Sequence, residues 1–262
     1  MRYAACVEYD GSNFSGWQAQ KHDVRTVQET VEAALSKVAD HDVKIITAGR
    51  TDRSVHAVHQ IIHFDSDSQR TEFAWCRGTN RFLDHDVRIK WVMPISQEFH
   101  ARFSALSRSY RFIIHNAPIK SAIYRHYATH EHEQLDPTLM ADASQILLGE
   151  HDFSSFRAAG CQAHSPVRTM QSLSLGYDGQ WIWLDLKANA FLQHMVRNIA
   201  GCLIEIGYGK RPVSWLSDVL DAKDRTQAGV TAPPNGLYLT GVEYPNEYNL
   251  LSNHDVVSFW GT

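Results

Sequence analysis

The chain has 262 residues, 44% hydrophobic and 21% charged, a composition that suits a globular protein and excludes a disordered or fibrous one. A net charge of −4 argues against a uniformly basic nucleic-acid binder, and Cys6, Cys76, Cys161 and Cys202 form neither a CxxC pair nor a dense disulfide framework. There is no N-terminal signal pattern, and the most apolar span, Phe191 to Ile206, carries Arg197 and Glu205. Reduced cysteines, a cytoplasmic location and no membrane segment are therefore expected.

Arg2 to Tyr9 alternates and predicts a strand, which Asp10-Gly11-Ser12-Asn13 ends. Thr26 to Asp40 predicts a helix, with Thr26-Val27-Gln28-Glu29 as a capping box and Val27, Val31, Ala34, Leu35 and Val38 as its apolar stripe. The stretch Thr47 to Gln60, TAGRTDRSVHAVHQ, lacks helical periodicity and lies between two predicted strands, Val43 to Ile46 and Gln60 to Phe64. Polar, irregular chain held between rigid elements is where chemistry tends to sit. Arg50, Thr51, Asp52 and His56 crowd seven residues of it; the plainer alternative is a turn in which Asp52 bonds its own backbone. Glu72 to Leu83 predicts a helix, Val87 to Pro94 a strand, Phe99 to Ser104 irregular chain, and Arg108 to His115 a strand. Arg108, Tyr110, Phe112 and Ile114 share one face of that last strand.

Asn116-Ala117-Pro118 marks the expected boundary between an N-terminal α+β domain, 1–115, and a C-terminal one, 116–262. Asp136 caps a predicted helix over Pro137 to Leu148. HDFSSFRAAGCQAHSPVRT, residues 151–169, reads as loop. MQSLSLGY, a turn at Asp178-Gly179 and WIWLDLKA predict a hairpin. Phe191 to Gly207 predicts a helix with Leu192, Met195, Val196, Ile199, Leu203 and Ile206 on its apolar stripe. A short helix near Val213 to Leu220 and a strand over Gly236 to Tyr244 complete a chain of two similar α+β halves.

The 15 histidines show no HExxH spacing and no zinc pattern with the cysteines, so no metal is expected. A Gly-rich phosphate loop and a GxSxG elbow are also absent. What remains is Asp52 flanked by arginines, an arginine and aromatic cluster (Arg102, Phe103, Arg108, Tyr110, Arg111, Phe112), and Arg197 on an apolar helix stripe. Of the 25 cationic residues 17 are Arg, whose planar fork suits phosphate and stacking. Local positive charge can bind RNA on an acidic protein, because fields are screened within about 8 Å at physiological salt. Arg197 needs an anionic partner. It either forms a structural ion pair in the second half or keeps a carboxylate ionised, and an ionised aspartate can act as a nucleophile.

Five stretches carry a resemblance: AGRTDRSVHA followed by Gln60, FHARFSA with the following arginine and YRF, HDFSSFRAAGCQA with SPVRT, NAFLQHMVRNIAG, and APPNGLYLTGVEYP. In content and order they resemble the tRNA pseudouridine synthase A family. The resemblance implies two α+β domains with mixed, mainly antiparallel sheets meeting at a central RNA-binding cleft. It implies a homodimeric, cofactor-free isomerase that converts uridines 38–40 of the tRNA anticodon stem-loop to pseudouridine. Asp52 resembles the catalytic aspartate, acting as nucleophile or base, and Arg50 the residue that enters the RNA when the target nucleotide is extruded. Tyr110 resembles the aromatic that stacks on the uracil, Arg197 the ion-pair partner of the aspartate, and Leu237 the apolar wall. Phe99, His100, Ala101, Arg102 and Phe103, and Gly160, Cys161, Gln162, Ala163 and His164, resemble RNA-contacting segments. Ser54 and His59 stand where that family usually has glycine, and Ser54 is expected to keep the loop's path at a cost on the order of 1 kcal/mol. A catalytically silent tRNA-binding relative and a histidine-based metal hydrolase are the alternatives.

Overall fold

A computed structural model describes residues 1–21 and 23–251. Its described residues divide into one unit of Met1–Leu106 with the residues from Tyr238 to 251, and a second of Ser107–Leu237. The break thus falls at 106/107 rather than 115/116, and the last strand joins the first unit. Both differences come from pairings between segments far apart in sequence, as described below. Each unit combines helices with a mixed, mostly antiparallel sheet, so the fold class is α+β.

In the first unit β1 (Arg2–Tyr9) lies between β3 (His56–Asp65) and β4 (Val87–Pro94), antiparallel to both. β2 (Ile45–Thr47) also pairs with β3, and β10 (Leu237–Glu243) joins it in parallel through Tyr238–His56 and Leu239–Ala57. β3 is twice as long as the sequence pattern suggested. Its first half, HAVHQ, contains two histidines, yet both are buried and the backbone is paired by β1. Helix α1 (Val27–Ala39) is capped by Thr26, whose side chain accepts the Glu29 N–H and is itself bonded to the Glu29 carboxylate. Helix α2 (Glu72–Phe82) is capped by Thr71, which accepts the Ala74 N–H at 3.1 Å. α2 inserts Trp75 into the core, edge-on to Phe64 at 5.2 Å, while Tyr3 stacks on Phe64 at 5.3 Å. Such pairs contribute about 0.5–1.5 kcal/mol each beyond burial.

In the second unit β5 (Ser107–Asn116), β9 (Trp181–Ala188), β8 (Val167–Asp178) and β7 (Gly149–Asp152) lie side by side in that order, all antiparallel. β6 (Thr129–Glu131) pairs with β5 in parallel. β5 belongs to this unit because it pairs with β9 along its length, from Arg108–Ala188 to His115–Trp181. Two residues, Gly179 and Gln180, close the predicted hairpin, with Gly179 at φ 56°. The predicted loop 151–169 is strand at both ends, because β7 pairs with the start of β8. The helix predicted over Pro137 to Leu148 is α-helical only over α3 (Pro137–Ser144), with a 3₁₀ turn after it. The helix predicted from Phe191 is α4 (Met195–Gly207), four residues shorter, because His194 takes φ 62° and cannot continue a right-handed helix. α5 (Trp215–Ala222) follows. Among the described residues no helix is long and apolar enough to cross a membrane.

Candidate active site

Asp52 sits half-buried on the short loop between β2 and β3. That loop is pinned throughout by groups remote in sequence. At its start Ala48 N–H donates to Ile61 O at 2.8 Å, and Gln60 Nε2 donates to Gly49 O at 2.6 Å. Beside Asp52, the Thr51 carbonyl accepts the Trp17 N–H at 3.0 Å and the Thr51 hydroxyl bonds the Tyr9 hydroxyl at 2.8 Å. Burial pushes the Tyr9 phenol up to about 12, outweighing its bonds to Thr51 and Gln60, so it stays a neutral brace. After Asp52, Ser54 N–H donates to Phe14 O and Val55 N–H to Asp52 O. Gly16, at φ 99°, lies against this backbone: a Cβ there would stand 3.0 Å from Thr51 O and 3.2 Å from the Asp52 carbonyl carbon. Ser54 takes φ 62°, so serine keeps the left-handed turn that glycine would hold without strain. Buried His56, stacked on Tyr238 at 4.7 Å, offers Nδ1 to the Gly11 N–H at 3.1 Å and lies 3.2 Å from an Asp10 carboxylate oxygen. His59, the other departure, is buried with Nδ1 3.6 Å from Cys6 Sγ.

Glu32 of α1 is a further brace that no local pattern signals. Its carboxylate, 9% exposed, accepts the Ile45 N–H at 3.2 Å and pairs with Lys44 at 2.8 Å, which fixes the helix to the start of β2. Arg50, by contrast, is exposed on the loop.

FHARF divides by side chain. Phe99 and Ala101 are fully buried, Phe99 against Tyr244 and Tyr248, so they anchor the segment and do not present side chains to a ligand. Arg2 Nη1 donates to Phe99 O, and the Tyr244 hydroxyl donates to Ala101 O at 2.6 Å. Two imidazoles serve as acceptors: His63 Nδ1 takes the Ala101 N–H at 3.1 Å, and His100 Nδ1 takes those of Arg102 and Phe103 at 3.2 Å. Arg102 and Phe103 are the residues presented outward, with Phe103 76% exposed and stacked at 4.3 Å on His100, which is half-buried.

The other predicted residues belong to the second unit. Tyr110 of β5 meets Phe191 edge-on at 4.9 Å, just ahead of α4, which packs on β5. Arg197 is half-buried rather than buried, and it lies where the 230–232 segment crosses α4. Its Nε donates to Ala232 O at 2.9 Å while its own carbonyl accepts the Ala232 N–H at 3.1 Å. Gly201 permits this crossing, since a Cβ there would stand 1.8 Å from Val230 O. Asn198, fully buried beside Arg197, donates to Phe156 O and accepts from Arg225 and Thr231. The crossing segment leads through Pro234 to buried Leu237, and Ile113 N–H donates to Gly236 O, which sets that turn against β5. Tyr110, Arg197 and Leu237 therefore stand on three mutually braced elements of one unit. GCQAH is a turn beyond a 3₁₀ segment, with Gly160, Gln162 and His164 exposed and Cys161 and Ala163 half-buried. Among the described residues no three His, Cys, Asp or Glu side chains gather to hold a metal ion.

Comparison with known proteins adds independent findings. A family model described as tRNA pseudouridine synthase matches residues 5–104 and 143–245, spans that include every predicted site residue except Tyr110. A tRNA pseudouridine synthase A from Nitrosococcus oceani is 52% identical over 260 residues, covering 99% of this chain and 100% of that one. Proteins of the same name from Alcanivorax borkumensis and Legionella pneumophila are 51% and 50% identical, covering 95% and 97% of this chain and 93% and 97% of their own.

Proposed function

Because the chain belongs to the tRNA pseudouridine synthase family, and so is an isomerase, we propose that it acts on uridines of the tRNA anticodon stem-loop, with Asp52 as the catalytic carboxylate. The observation that carries this reading is the Asp52 loop itself: a half-buried carboxylate on backbone held at both ends, within a matched family span. Holding a reacting group in fixed geometry is how a scaffold lowers a barrier. Isomerisation breaks the N1–C1′ bond, turns the uracil and joins C5 to C1′; the C5 proton is lost and N1 gains one. The base must be retained between those steps without water replacing it. An aromatic platform such as Tyr110 retains a base at roughly 1–3 kcal/mol. Arg50 is the side chain proposed to enter the RNA, offsetting an extrusion cost of a few kcal/mol. Arg197 is the cation assigned to Asp52 and Leu237 the apolar wall, both on resemblance.

Tritium release from tRNA labelled at uridine C5 tests the reading, with wild type and Asp52→Ala in buffer containing chelator. Release by wild type and none by Asp52→Ala is expected. Tight tRNA binding by wild type without release would instead make the chain a binding-only relative.

A further inference from the structure

Three arginines of the second unit converge near one short turn. Arg157 Nη2 donates to Cys161 O at 2.7 Å and to Ala163 O at 2.9 Å, and Arg168 Nη1 donates to Ser165 O at 3.0 Å and to Val167 O at 2.5 Å. Both guanidinium groups are thus tied to carbonyls of the 161–167 segment. Arg108 comes from the neighbouring strand: its Nη1 donates to Asn189 O at 3.0 Å, while Asn189 Oδ1 accepts the N–H of Thr169, the residue after Arg168. Gathering like charges is unfavourable, and here it is felt. Burial pulls the Arg168 guanidinium down, the negative charge of an ionised Cys161 opposes this, and the fields of Arg157 and Arg108 add to the pull. Among the described residues Arg168 bonds only carbonyls, Arg157 bonds carbonyls and the Cys161 sulfur, neither meets a carboxylate, and the solvent-shielded Arg168 Nε has no acceptor. Structural bracing accounts for the carbonyl bonds. It leaves the orphan Nε and the clustering of three cations unexplained.

We propose that Arg157, Arg168 and Arg108 form an anion site for a backbone phosphate of the RNA. Paired guanidinium forks match phosphate oxygens in geometry as well as charge. Such a contact orients a nucleic acid without reading its sequence. The proposal rests on the tRNA reading above and adds residues to it.

Filter binding of an unmodified tRNA transcript across a salt series tests it. Each lost phosphate contact lowers the slope of log affinity against log salt by about one. Arg168→Gln should lower the slope by that amount and weaken binding at low salt by roughly tenfold, whereas Arg168→Lys should keep the slope. Arg108→Gln leaves the braces of the turn in place and should lower the slope likewise, so the test does not depend on one variant's folding. Bound tRNA should also protect Cys161 from iodoacetamide in the wild type and less so in Arg168→Gln. An unchanged slope in both Gln variants, or protection of Cys161 by tRNA that is equal in the wild type and in Arg168→Gln, overturns the proposal. Failure of the wild type to bind tRNA would refute the functional reading itself.

Discussion

His63 and His100 hold the FHARF turn as neutral imidazoles. Burial first, then the Arg2 charge and His100, bring the His63 pKa down to about 4. Its Nδ1 is already taken as the acceptor for the Ala101 N–H, so a proton there would break that bond. The folded state binds this proton less readily than the unfolded chain, whose imidazole titrates near 6.5. Stability is therefore full above about pH 6.5 and falls as the pH drops toward 4, by up to about 3 kcal/mol in total. Urea melts between pH 7 and 4 should show this loss, and His63→Asn, which cannot titrate, should flatten it. Ser54 illustrates the opposite situation, a residue that accepts strain: its φ of 62° costs on the order of 1 kcal/mol, met by the bonds that fix the turn. The sequence showed that Ser54 departs from the family pattern, and its backbone angle now gives the physical content of that departure.

At the level of elements, the Asp52 loop is shaped by the segment that follows β1. Trp17 and Phe14 bond the loop backbone, and Gly16 lies so close to it that a Cβ would stand only 3.0 Å from Thr51 O. Gly16→Ala must strain a φ of 99° and press a methyl on the Asp52 peptide. It should cost at least about 1 kcal/mol and lower tritium release more than it lowers tRNA affinity, which parallel binding and release assays would separate. Equal losses in both would mean that the loop contributes to binding alone. The periodic elements were legible in sequence. β4 matches its predicted bounds, and α1 and α2 differ by a residue at their ends, because alternation, helical stripes and threonine caps are local signals. The start of α4 was not, since His194 adopts a left-handed conformation that its residue type does not announce. The first half of β3 was also hidden: its histidines read as polar until β1 and β10 enclose them.

At the scale of the molecule, a chain of net charge −4 belongs to a family that acts on tRNA, so attraction to RNA has to come from local groups such as the 157–168 arginines and not from overall charge. We propose a homodimer on the family resemblance; sedimentation should give a mass about twice 29.7 kDa, and a monomer at assay concentrations would refute it. The sequence by itself determined the α+β class, most helices and strands, and the family, because these depend on short-range periodicity and on motifs that stay contiguous in the chain. Tertiary structure decided which of those residues anchor and which are presented. Phe99 and Ala101 face the core while Arg102 and Phe103 face out over half-buried His100, and Arg197 is clamped to Ala232. It also decided that β10 returns to β3, that Tyr9, Gly16 and Gln60 hold the Asp52 loop, and that Glu32 fixes α1 to the start of β2. Such contacts join residues distant along the chain, and their free energy exists only once the backbone has closed the loops between them.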